Sequence, residues 1–153
     1  MTRHIALVAI LLLMSCSTNT DRMDSLELSE KEERITTLRP EIKAYSDFSD
    51  AEFELFNVNG FSNSRSSITV PGSSSWYYKF AIKINPSDIA KWTTGMRQVD
   101  SVSDIQWTKQ IIVKRKENWK VESPPKYFVR EGDDVEMIVY EKEGFIFKKI
   151  INN

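Results

Sequence analysis

Two residue types that carry much of protein chemistry are nearly missing. The 153-residue chain holds one cysteine, Cys16, and one histidine, His4. A lone cysteine cannot close a disulfide within the chain, so stability has to come from packing. Glycine numbers only five, and those are too scattered to form a phosphate-cradling loop. An excess of either charge is also lacking, with 21 Lys and Arg against 22 Asp and Glu. Such a chain has no basic footprint for nucleic acid, which excludes that class of partner. There is no internal repeat, no heptad, and only one long apolar run.

That run, residues 5–14, reads IALVAILLLM, with Arg3 ahead of it and Ser15-Cys16 behind. It is about half of the ~20 residues a helix needs to cross a bilayer. A positive head, a short apolar middle and a small residue before a processing point make the layout of a cleaved export signal. Leu13-Met14-Ser15-Cys16 resembles the lipobox of bacterial lipoproteins. The resemblance implies a diacylglyceryl group on the Cys16 sulfur, cleavage before it, and Cys16 as first mature residue. It also implies a membrane-anchored place in the cell envelope. With Ser17 rather than aspartate next, that place is the outer membrane if the source is Gram-negative. Two or more acyl chains, at about 0.8 kcal/mol per buried CH₂, make a stable anchor where one is marginal. The resemblance covers the first sixteen residues and implies nothing about the rest.

Removing a 15-residue signal from 153 leaves 138 residues, enough for one domain with a real core. Arg3 leaves with the signal, so 20 basic residues face 22 acidic ones, a formal net charge of −2. His4 leaves too, and with it any Ser-His-Asp triad, histidine proton shuttle or histidine zinc site. An acylated Cys16 is lost to thiol chemistry. The predicted organisation is a signal over 1–15, the lipidated cysteine and a polar tether over 16–28, and one globular domain over 29–153.

Within that domain, Leu28, Ile35, Leu38 and Ile42 recur at helical spacing. Ser29 and Glu32 resemble a capping box, Glu30 and Arg34 form an i,i+4 pair, and Pro40 ends the helix. Residues 52–59 open the strand-rich part and Asn59-Gly60 is a turn. Residues 61–75 form a serine-rich loop with a brief strand over 67–70 and a turn at Pro71-Gly72. The clearest strand is 75–85, where Trp76, Tyr78, Phe80, Ile82 and Ile84 alternate with Tyr77, Lys79, Ala81 and Lys83. Asn85 then caps a short helix with Pro86 in its first position, Ile89 and Trp92 folding back onto the core, and Gly95 ending it.

Residues 96–104 read as loop. Ile111-Ile112-Val113 gives 105–114 a strand-like core, with a short helix as the competing reading. Lys114-Arg115-Lys116 reads as a solvated turn, 119–121 as a short strand and 127–129 as an extended segment. The end is a hairpin, 135–140 and 145–151, closed by a positive-φ Gly144. The expected fold is α+β: one domain, mostly antiparallel sheet, with an N-terminal helix and a short helix after the central strand.

Candidate chemistry is sparse. Glu131, Asp133, Asp134 and Glu136 could supply the paired carboxylates of a glycosidase. Asn57-Val58-Asn59-Gly60 is only a fragment of a calcium loop, so no metal is expected. Trp76 and Tyr77, with Trp107 or Trp119 nearby, would offer an aromatic platform, and Arg65 could meet a carboxylate or phosphate. The leading expectation is a non-enzymatic, cofactor-free, lipid-anchored protein binding an envelope protein or polysaccharide. The alternatives are a histidine-free, carboxylate-dependent glycan hydrolase and a purely structural subunit of an envelope complex.

Overall fold

Strand β3, Trp76–Ile84, turns its alternation into a two-faced sheet: Phe80, Ile82 and Ile84 enter one core and Ala81 the other. The computed structural model describes residues 21–61 and 75–152. The signal at 1–15, Cys16, Arg65, the strand expected over 67–70 and the Pro71-Gly72 turn lie outside them. The other strands are β1 (Arg22–Asp24), β2 (Phe48–Asn57), β4 (Arg97–Val99), β5 (Lys126–Arg130), β6 (Asp134–Tyr140) and β7 (Phe145–Asn152). They form one sheet in the order β1-β2-β3-β7-β6-β5-β4, with every pairing antiparallel.

Both faces are covered. Helices α1 (Lys31–Leu38) and α2 (Ile89–Thr93) bring Ile35, Leu38, Ile89 and Trp92 to a core with Phe53, Phe80, Ile82, Met137 and Ile146. On the other face, helix α3 (Gln106–Ile111) and a 3-10 run, Val113–Trp119, place Trp107, Ile111 and Trp119 against Ile138, Phe145 and Phe147. Each such apolar side chain contributes about 1.5–3 kcal/mol when fully buried.

Local rules hold where the chain turns sharply. Asn85 accepts from Ser87 N–H at 3.0 Å with Pro86 in the first position of the turn. Between β6 and β7, Gly144 has φ +70° and its carbonyl accepts from Ile84 N–H at 2.9 Å. A Cβ there would collide with the Ile84 carbonyl oxygen.

Several expectations are corrected. The tether expected over 16–28 is part of the fold from Arg22 on: β1 pairs with β2, Asp24 caps the turn Ser25–Glu27, and Ser25 is fully buried. The capping box at Ser29 is not made; α1 starts after Glu30 with no side-chain cap bond. Residues 97–99 are strand rather than loop, because β5 offers an edge to pair with. Residues 106–111 are helix rather than strand, since helical spacing puts Trp107 and Ile111 in the core together and leaves Val113 exposed. Trp119 ends a 3-10 run, and the two residues after it form no strand.

The basic triplet is not simply solvated. Lys114 Nζ donates to Leu26 O at 2.8 Å. The chain leaves helical geometry at Arg115 (φ −132°, ψ 32°), and its guanidinium reaches Glu52 and Ser25. The outer edge of β2 beyond β1 is thereby sealed by side chains. Arg34 of α1 donates to Ala51 O at 2.8 Å and to Asp50 at 2.7 Å, and Ser25 Oγ accepts from Phe53 N–H at 2.9 Å. Edge groups satisfied in this way are closed to pairing with another chain.

A candidate anion-binding cleft around Lys148

Strand β7 reads FIFKKIIN, and its alternation puts Ile146, Lys148 and Ile150 on the face of the first core. Lys148 sits in register between Phe80 of β3 and Met137 of β6, which are 1% and 0% exposed. A lysine therefore occupies the middle of an apolar face and is itself only 4% exposed. The next cross-strand row is Tyr78, Ile150, Val135 and Arg130, and the row beyond contains Trp76 and Asn152.

Segment 41–45 passes above these rows and supplies Glu41, Ile42, Lys43 and Tyr45. Two contacts fix it. Tyr45 meets Trp92 edge-on, with centroids 5.3 Å apart, and Trp92 Nε1 donates to Ser46 Oγ at 2.9 Å. Between this segment and the sheet lies a cleft of about 380 Å³. Its floor includes Lys148, its aromatic wall is Trp76 and Tyr78, and Arg130 stands at the β5 side.

The electrostatics of the cleft are one-sided. Among the described residues, Lys148, Lys43 and Arg130 line it against a single carboxylate, Glu41, with Asp133 outside the lining as the partner of Arg130. Lys148 Nζ lies 5.8 Å from the Tyr45 ring centroid and Lys43 Nζ 5.3 Å from the same centroid. Among the described residues neither ammonium has a carboxylate partner. Arg130 makes one long ion pair, 3.6 Å to Asp133. Burial, and then the cations Arg130 and Lys43, push the Lys148 ammonium down to about 8. An unpaired charge in an apolar setting is costly, and such groups concentrate at functional sites.

The residues singled out from the sequence do not assemble as expected. Trp76 is half-buried in the cleft, edge-on to Tyr78 at 5.1 Å. Tyr77 lies on the opposite face, stacked on Phe56 at 5.5 Å, its hydroxyl donating to Glu54 at 2.7 Å. Burial, followed by Glu54, raises its pKa. Trp107 and Trp119 are each 3% exposed in the second core, both packed on Phe147, so they build no platform with Tyr77. The Trp119 indole N–H is buried without a hydrogen-bond partner among the described residues.

Three of the four acids of the cluster go to separate bases, Glu131 to Arg97 at 2.8 Å, Asp133 to Arg130 and Glu136 to Lys149 at 2.6 Å, and Asp134 is exposed. Asn57 and Gly60 close a turn through a 2.8 Å backbone bond. Among the described residues no three of His, Cys, Asp and Glu come together as metal ligands, and no helix is long and apolar enough to cross a membrane.

Sequence reasoning passed over Lys43, Tyr45, Arg130 and Lys148. One signal was present: Lys148 stands between Ile146 and Ile150 on a period-two face. The chain matches no protein-family model, no curated protein and no solved structure.

Proposed function

We propose that the protein is a lipoprotein of the bacterial cell envelope, anchored through Cys16, whose domain is a non-enzymatic binding module for an anionic group. That group, carried by an envelope component, enters the Lys148 cleft. The observation that carries this reading is Lys148, a residue only 4% exposed whose ammonium has no carboxylate partner among the described residues. An apolar residue of similar length would fill the position at lower folding cost, and buried charges kept at such a cost concentrate at functional sites. An anion in the cleft is the counter-ion that the fold leaves out. The half-buried aromatic wall suits an organic body attached to that anion.

The anchor rests on the lipobox-like Leu13-Met14-Ser15-Cys16. Palmitate should label the wild-type chain and not Cys16→Ala; equal labelling of both would remove that half of the proposal. For the binding half, benzoate and phenyl phosphate should each raise the thermal midpoint of the full chain, and neutral benzamide should not. Lys148→Met should abolish the effect. Anions that shift both proteins equally would mean that the cleft is not where they bind.

A further inference from the structure

We infer that the anion taken by the Lys148 cleft is a phosphate monoester. This rests on the anion-binding reading above and narrows it. The first argument is charge. Among the described residues, three cations against Glu41 give the lining a formal excess of two positive charges. A carboxylate brings one negative charge and would leave one cation uncompensated. A phosphate monoester carries about −1.5 to −2 at pH 7 and offers three acceptor oxygens.

The second argument is direction. Lys148 rises from the sheet floor, Lys43 hangs from the overlying segment, and Arg130 comes from β5. Donors on three separate segments suit a tetrahedral acceptor, whereas a planar carboxylate would be held by one fork. At 3.6 Å the Arg130–Asp133 ion pair is longer than a hydrogen bond, so an oxyanion on the guanidinium fork competes with only a loose partner. The third argument is room. About 380 Å³ holds a phosphate together with a ring-sized body against Trp76 and Tyr78.

The test is calorimetric titration of the full chain in neutral-detergent micelles with phenyl phosphate, benzoate and benzamide. At about pH 7.5 phenyl phosphate should bind about tenfold more tightly than benzoate. The advantage should shrink toward parity near pH 5.5, because the ester loses its second charge around pH 6. The groups facing the bound anion are Glu41, Lys43 and Tyr45 from the overlying segment, Tyr78 from β3, Arg130 from β5 and Lys148 from β7. Lys148, held down to about 8, gains charge as pH falls from 7.5 to 5.5, which favours both anions, so a shrinking advantage reports the ester.

Lys148→Met should lower phenyl phosphate affinity about tenfold or more, and Lys43→Gln, on an exposed residue, several-fold. The second variant keeps the test decisive if the first disturbs packing. Equal binding of benzoate and phenyl phosphate, both lost in Lys148→Met, overturns the phosphate and leaves the anion reading standing. Binding of neither overturns both. Doping the micelles with phosphatidic acid distinguishes the sources of the ester. Displacement of phenyl phosphate supports a lipid headgroup, and its undisturbed binding supports an ester borne by a soluble compound or polymer.

Discussion

The guanidinium of Arg115 grips both carboxylate oxygens of Glu52, a residue 63 positions earlier, with Nη2 donating to Oε2 at 2.7 Å. Glu52 is fully buried, and it also accepts from Ser25 Oγ at 2.7 Å and has Arg34 Nε at 3.5 Å. One carboxylate therefore ties the 3-10 run of the second face and the first turn of the described chain to β2, with α1 alongside.

Removing one partner of a buried pair leaves a charge uncompensated, at a cost of about 3–5 kcal/mol. Because Arg34 and Ser25 remain beside Glu52, Arg115→Met should lose about 3 kcal/mol in urea denaturation. The double variant Arg115→Met/Glu52→Gln should recover part of that loss, since the stranded charge is gone. A single variant within about 0.5 kcal/mol of wild type would mean the clasp adds nothing to stability.

Lys148→Met should stabilise the free protein. The folded-state pKa of about 8 lies below the ordinary lysine value of 10.5, so between these values the unfolded chain binds more protons. The full penalty applies below pH 8, and stability recovers as pH rises toward 10.5. At pH 7 the penalty is about 3 kcal/mol, taking about 1.4 kcal/mol per pH unit. The thermal midpoint of Lys148→Met should exceed that of wild type at pH 7, with the gap closing above pH 8. Parallel curves for the two proteins would contradict the assignment.

Gly144→Ala meets two obstacles, a positive φ of 70° and the Ile84 carbonyl in the path of the new Cβ. Gly132 has φ +81°, but a Cβ added there would have nothing within 4 Å. Gly132→Ala should cost about 1–2 kcal/mol, the penalty of the left-handed region alone. Gly144→Ala should cost distinctly more, because the β3–β7 junction has to shift. Equal denaturation midpoints for the two variants would refute the steric part of this account.

Glu143 holds the loop before β5 against the hairpin turn. Its carboxylate accepts from Glu122 N–H at 2.8 Å, Ser123 N–H at 2.9 Å and the Ser123 hydroxyl, and these bonds hold it well below the usual range, at about 2. A depressed carboxylate pKa stabilises the fold above the unfolded value of 4.5, and this is lost as pH falls from there toward 2. Amide-exchange protection of Glu122 and Ser123 should drop across that interval in wild type. Glu143→Gln should show the lower protection already at neutral pH.

Features written in consecutive residues are legible from the chain alone. The alternation of β3, the Asn85-Pro86 joint and the β6–β7 hairpin with Gly144 all follow from local period and turn chemistry. The β-branched run at 111–113 misleads, because strand propensity there yields to the burial of Trp107 and Ile111 on one helical face. Arg97-Gln98-Val99 carries no pattern of its own and becomes strand only through pairing with β5. Alternation alone separates Tyr77 from Trp76, yet only packing makes Trp107 and Trp119 core.

The sequence by itself determined a strand-rich domain with no disulfide within the chain, a matter of composition and local spacing, and it is the sole basis of the lipid anchor proposed at Cys16. Period two also sets Lys148 between Ile146 and Ile150, but it sets Lys149 between Phe147 and Ile151 in the same way. Tertiary structure decided what that placement means. Lys43, Tyr45 and Arg130, from segments far apart in the chain, line the same cleft as Lys148, and among the described residues no carboxylate comes close enough to pair with it. The cost of a buried charge depends on everything within a few ångströms, and sequence neighbours are only a small part of that surrounding.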